Sequence, residues 1–170
     1  MLNILSSSSE NDIVQTMAKK PVITNTYITN SKAGFNYETL ETYEAGLQLL
    51  GHEVKSLRLG HASIGEAFII NEDGELYLVK AYIPPYQVKN TPPSYDPYRK
   101  RKLLVSKKEL RELAQRKSEA GLTLIPLSLY SKGRFLKLQF ALARGKQKHD
   151  KRNTIKDRDA KREIGRLMKR

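Results

Sequence analysis

The last stretch of the chain, residues 142–170, carries twelve Lys or Arg against four acidic residues, a surplus of eight in a protein whose formal net charge is +13. A segment so charged cannot fold by itself. From Arg144 to Asn153 it has no bulky apolar residue, and self-repulsion with nothing to bury keeps it open until an acidic partner neutralises it. Any packed core must therefore be built upstream. Farther along, Ala160, Ile164, Leu167 and Met168 stripe one side of a helix. Thr154 with Asp157 resembles a capping box, and Asp157 with Lys161 is an i,i+4 pair, together worth about 1 kcal/mol. That is too little to order about a dozen residues in water, but enough to favour helix once phosphates screen the charge. The tail is expected to fold on a polyanion; a merely solubilising charged end is the bland alternative.

The chain of 170 residues suits one domain with appendages, and the part before the tail is long enough to bury a core. A pI near 9.9 with clustered bases favours nucleic acid, or less readily an anionic membrane surface, over a neutral ligand. The absence of cysteine excludes a disulfide framework and thiolate zinc sites. No apolar run approaches the roughly 18 residues of a spanning helix, and the start lacks the pattern of a signal peptide. A soluble, cytoplasmic protein is expected.

Residues 1–29 read as a disordered extension, with serines at Ser6 to Ser9 and a second possible start at Met17. Tyr43, Ala45, Leu47 and Leu49 then alternate with polar residues or glycine as on a half-buried strand, which Gly46 favours over the rival helix. HEVKSLRLG is a helical turn or a bend. The Asn71-Glu72-Asp73-Gly74 turn joins two strands as a hairpin, and prolines at 84, 85, 92, 93 and 97 mark a long connection. Beyond a basic run at Arg99 to Lys102, Ser106 and Glu109 form a capping box, Val105 can staple onto Leu110, and Gly121 ends a helix whose buried face is Leu110, Leu113 and Ala114. Two alternating strands follow around Ser131-Lys132-Gly133; Leu136, Leu138, Phe140 and Leu142 face in, Lys137 and Gln139 out. The sum is mainly β: at least five antiparallel strands closing a small barrel, with peripheral helices and the basic tail.

GHEVKSLRLG, Asp96-Pro97 followed by RKRKLL, AGLTLIPLSLY and LARGKQKHDKR, in this order and spacing, resemble the SsrA-binding protein (small protein B) family over residues 30–170. The resemblance implies an oligonucleotide-binding-type β-barrel over 30–143 and a tail over 144–170 that is disordered when free and helical on the ribosome. It also implies the partners: the tRNA-like end of transfer-messenger RNA, and ribosomes stalled without a stop codon. By the same resemblance Asn30, Lys32, Glu44, Leu104, Lys137, Arg144, Gly145 and Lys146 are expected at the RNA. An amide pairs with base edges, a carboxylate accepts from base amino groups or a 2′-hydroxyl, and leucine packs on an unstacked base. From the residues alone, Leu104 is equally a core residue and Lys137 a solvated strand lysine. Gly145 matches a hinge where glycine frees the backbone, with Arg144 and Lys146 on phosphates. In the tail, His149, Asp150, Lys151 and Arg152 match a decoding-centre segment, and Leu167 and Met168 a helix along the empty messenger channel. Ser31, Gly34, Tyr95 and Gln147 depart from the family's usual residues; Tyr95 keeps a stacking role but no protonated one.

Three other readings compete. An enzyme is disfavoured, because His52, His61 and His149 lack metal-motif spacing and no phosphate-cradling glycine loop occurs. No cofactor or metal is expected. A generic nucleic-acid-coating barrel shares the composition, and only selectivity separates it from the specific binder. Membrane binding has too little apolar area in the tail. A monomer on RNA is the expected state.

Overall fold

The computed structural model describes residues 25–117, 121–147, 150, 163, 164, 166 and 168. In chain order the elements are β1 (Asn25–Thr29), α1 (Ala33–Asn36), β2 (Tyr37–Leu47), α2 (Gly51–Arg58), β3 (Phe68–Glu72), β4 (Glu75–Val79), β5 (Arg101–Leu104), α3 (Lys107–Lys117), β6 (Leu122–Lys132) and β7 (Phe135–Gly145), with a single 3-10 turn at Val88–Asn90. All strand pairs are antiparallel. Their order, β6–β3–β4–β5–β2–β7, closes into a ring through β6–β7 pairing, and β1 hangs on β6 outside it.

Long β6 makes closure possible by serving three neighbours. One edge carries β7 along its whole length; the other meets β3 at Leu124 and β1 over residues 128–131. Pro126 falls where β6 passes from one neighbour to the other, and the β6–β7 register shifts between Pro126 and Ser128. A residue without an N–H belongs at such an irregularity.

The tight turns follow from the residues that make them. Asp73 and Gly74 take φ of +52° and +76°, the positive angles of a two-residue hairpin loop. Gly133, at φ +61°, does the same for β6 and β7. HEVKSLRLG becomes helix α2, with Glu53, Ser56 and Leu57 buried. On α3, Glu109 N–H donates to Ser106 Oγ at 3.2 Å while Ser106 N–H donates to the Glu109 carboxylate at 3.0 Å, the reciprocal bonds of a capping box.

The barrel interior gathers Ala45, Ile69, Leu78, Leu103, Leu124, Leu138, Phe140 and Leu142, and Leu57 of α2 and Leu113 of α3 join the same core. A smaller cluster of Ala33, Ile125, Ala141 and Ala143 lies outside, where small β7 side chains let α1 rest on the sheet.

Three expectations are corrected. Residues 25–29, expected within the disordered extension, form a strand instead, because β1 pairs with β6. Strand β7 runs to Gly145, two residues past the expected end of the barrel. Ala114 is exposed: α3 buries only the seam of Leu113 and, partly, Leu110, and Ala114 lies about 100° around the helix from Leu113.

The proline-marked connection is fastened by a buried ion cluster. Glu53 and Arg101 are both fully buried. The Glu53 carboxylate accepts from Arg101 Nε at 3.0 Å, Arg99 Nε at 2.9 Å, Tyr95 Oη at 3.1 Å and Leu50 N–H at 2.8 Å. Arg101 also donates to the carbonyls of Ala81 and Pro97, both at 2.8 Å. Burial alone would raise the Glu53 pKa, but the hydrogen bonds from Arg99 and Leu50 and the charges of Arg101 and Arg99 bring it below the usual value. The rest of the basic run is paired too: Lys100 with Glu72 and Lys102 with Glu75. This run is therefore mostly internal glue.

Candidate nucleic-acid interface

Glu44, on the outer side of β2, stands opposite Gln139 of β7, and Gly46, two residues on, stands opposite Lys137. Alternation puts Tyr43 and Ala45 inside and Glu44 outside. Its carboxylate accepts from the Tyr130 hydroxyl and pairs with Lys132 Nζ and Lys137 Nζ, each at 3.3 Å. Partial burial opposes ionisation, yet hydrogen bonds from Tyr130, Lys132 and Lys137 hold the Glu44 pKa below normal. Burial and the adjoining carboxylate in turn raise that of Tyr130. The cluster thus sets the Glu44 carboxylate between the Lys132 and Lys137 side chains.

An apolar groove of about 410 Å³ adjoins it, lined by Leu104, Gly46, Leu49, Phe135, Arg134 and Lys137 among others. Leu104 is 56% exposed, which removes the core reading. Gly46 makes room for it: a Cβ there would come within 3.3 Å of Leu104 Cβ. Phe135 is 61% exposed, and the Arg134 guanidinium lies 5.5 Å from its ring centre. Neither Phe135 nor Arg134 was singled out in the sequence. A basic-aromatic pair at a hairpin tip was the available signal.

The other expected residues gather at the far end of the same strands. Glu38, which pairs with Arg144, is six positions from Glu44 along β2, or roughly 20 Å. Asn30 is buried, and its amide is engaged by backbone: Nδ2 donates to Pro126 O at 3.0 Å, while Oδ1 accepts from Lys32 N–H at 3.1 Å and Ala33 N–H at 3.2 Å. It shapes the entry to α1 and caps the irregular stretch of β6. Lys32 pairs with Glu66 at 3.4 Å. Lys146 donates from its backbone to Asn36 O and from Nζ to Gly34 O, both at 2.9 Å. Gly145 is the last residue of β7, opposite Tyr37, with a negative φ and open space where a Cβ would stand. Glycine is not demanded by this conformation.

Of the tail residues, Asp150 accepts from Gln147 N–H at 3.2 Å, and Met168 N–H donates to Ile164 O at 3.0 Å as in a helix, with Met168 84% exposed. His149, Lys151, Arg152 and Leu167 lie outside the described residues. Among the described residues no group of side chains could hold a metal ion, and no helix is long and apolar enough to cross a membrane.

Comparison with known proteins adds independent information. A family model described as SmpB protein matches residues 27–170. An SsrA-binding protein of Chelativorans sp. is 51% identical, over 90% of this chain and 98% of its own length. One from Chlorobaculum tepidum is 50% identical, over 85% and 92%. A solved structure described as "tmRNA-SmpB: a journey to the center of the bacterial ribosome" is 46% identical, with a TM-score of 0.60, covering 75% of this chain and 93% of the other.

Proposed function

Because the chain belongs to the SmpB family, we propose that it is an adaptor that binds the tRNA-like domain of transfer-messenger RNA and brings it to stalled ribosomes for peptide tagging and release. The observation that carries this reading is the family match through both barrel and tail, residues 27–170. It performs no chemical step. Its partners are that RNA and the small ribosomal subunit, its place of action is the cytoplasm, and it acts as a monomer on the RNA.

The physics of the groove suits the first half of the task. A carboxylate repels phosphate, so Glu44 contributes by fixing the geometry of Lys132 and Lys137 and by accepting from a base amino group or ribose hydroxyl. Leu104 and Phe135 offer apolar surface to an unstacked base. Lys137 then meets the backbone. Asn30 acts through shape, by setting the turn into α1, and Arg144, Gly145 and Lys146 lead the RNA-bound barrel into the tail. For the second half, His149, Asp150, Lys151 and Arg152 take the decoding centre and Leu167 and Met168 the messenger channel.

The direct test is a reconstituted translation reaction on a messenger lacking a stop codon. Peptide tagging must depend on adding this protein together with transfer-messenger RNA; tagging at the same yield without it refutes the assignment. Glu44→Ala gives a finer prediction. Loss of the anion leaves phosphate attraction intact or stronger but frees both lysines, so preference for the tRNA-like domain over ordinary tRNA falls about tenfold, or about 1.4 kcal/mol. Competition binding measures it, and unchanged preference removes Glu44 from recognition.

A further inference from the structure

A second groove, of about 360 Å³, lies between the β1 end and the segments following α2 and β4. It shares no lining residue with the groove at Leu104. Tyr82 and Tyr98 form one wall, 38% and 56% exposed, with ring centres 5.2 Å apart and planes tilted by 47°. Tyr82 is held by paired backbone bonds with Ser63, each 2.9 Å, and Tyr98 N–H donates to Asp96 Oδ1 at 2.8 Å. The rings are therefore exposed on fixed backbone. The same groove is lined by Lys32, paired with Glu66, and by Lys80.

Lys80 is the unusual member. It adopts φ +57°, a left-handed conformation that side chains other than glycine, asparagine and aspartate rarely take. Its Nζ lies 5.6 Å from the Phe68 ring centre, and among the described residues no carboxylate pairs with it. A strained backbone that carries an exposed, unneutralised cation to the mouth of a tyrosine-walled groove has no evident use in folding. It has an evident use for an anion attached to a flat ring.

We propose that this groove is a second RNA site, which holds one unstacked nucleotide of a single-stranded segment, the base against Tyr82 and Tyr98 and the phosphate on Lys80. Base-on-aromatic stacking tolerates any sequence, and a paired helix cannot present a base face to these rings. Of the net charge of +13, residues 1–141 keep +5 and the tail +8, which together draw RNA to the protein, and the volume of about 360 Å³ admits one base with its sugar. Lys32 lines this groove too, but the site at Leu104 and Lys137 shares no lining residue with it, so loss of Tyr82, Tyr98 or Lys80 leaves that site intact.

The test uses the full chain and a fluorescein-labelled single-stranded RNA hexamer at about 0.15 M salt, with a salt series. Tyr82→Leu and Tyr98→Leu keep apolar bulk but remove the π face, and each weakens binding roughly 5- to 100-fold, whereas Tyr98→Phe stays within about twofold. Lys80→Asn keeps a residue tolerant of positive φ and lowers the salt slope by about one. Ultraviolet crosslinking of the unaltered protein, mapped by mass spectrometry, puts the hexamer on Tyr82 or Tyr98. The proposal is overturned if both leucine variants bind like the parent, or if crosslinks fall only in the tail; should a leucine variant misfold, the crosslink and the phenylalanine variant decide.

Discussion

Glu53→Ala destabilises the protein by about 3–5 kcal/mol, because it leaves Arg101 charged and fully buried without its counter-ion. Typical domains have only about 5–15 kcal/mol in total, so this variant sits near the edge of folding. Arg99 and Tyr95 lose a partner at the same time, and both belong to the connection that Arg101 ties to the β4 end. Glu53→Gln, which keeps one acceptor and the side-chain shape, should fall between. Urea denaturation measures all three proteins. A midpoint for Glu53→Ala equal to the parent's would show that the cluster contributes nothing. The sign of the pH effect is fixed as well. The folded pKa of Glu53 lies below its ordinary value of 4.5, so the stabilisation is complete above that pH and disappears as the pH falls through the depressed value. Acid unfolding of the parent should thus steepen as the pH falls below 4.5, and be shallower in Glu53→Gln. The cluster also anchors the strand that ends at Leu104, since Arg101 begins it.

The second large effect separates the two halves of the molecule. A chain ending at Gln147 retains every described strand and the bonds from Lys146 to α1. It loses ten of the twelve bases of residues 142–170. Binding to the tRNA-like domain should survive with a flatter salt dependence, because fewer phosphates are neutralised. Tagging in the reconstituted reaction should drop below detection, since nothing remains to order in the messenger channel. If the truncated chain instead loses specific RNA binding and tagging together, the barrel is not the recognition module.

Local chemistry made several elements legible. Asp73-Gly74 could serve only a tight turn, Ser106 and Glu109 had the spacing of a capping box, and the alternation from Leu136 to Leu142 named its own inner face. Elements that rest on distant partners were not legible. Residues 25–29 form a strand because β6 has a free edge there, and nothing in NTYIT announces that edge. Helix α2 was ambiguous because its anchor is Glu53, whose cationic partners come 46 and 48 residues later. The candidate site was reached through resemblance more than pattern. Glu44, Leu104 and Lys137 come from three different strands, and only the pairing of Gly46 with both Leu104 and Lys137 brings them side by side. Asn30 was expected to face base edges, and its amide instead binds backbone, a use that no single sequence position discloses.

The most direct measurement is equilibrium binding of the full chain to the isolated tRNA-like domain of transfer-messenger RNA, near 0.15 M salt, with excess ordinary tRNA as competitor and a salt series alongside. Specific recognition by the barrel predicts tight binding that the competitor does not displace and a preference that persists as salt rises. Equal affinity for both RNAs, collapsing together with salt, would contradict it and leave only a basic barrel that coats phosphate.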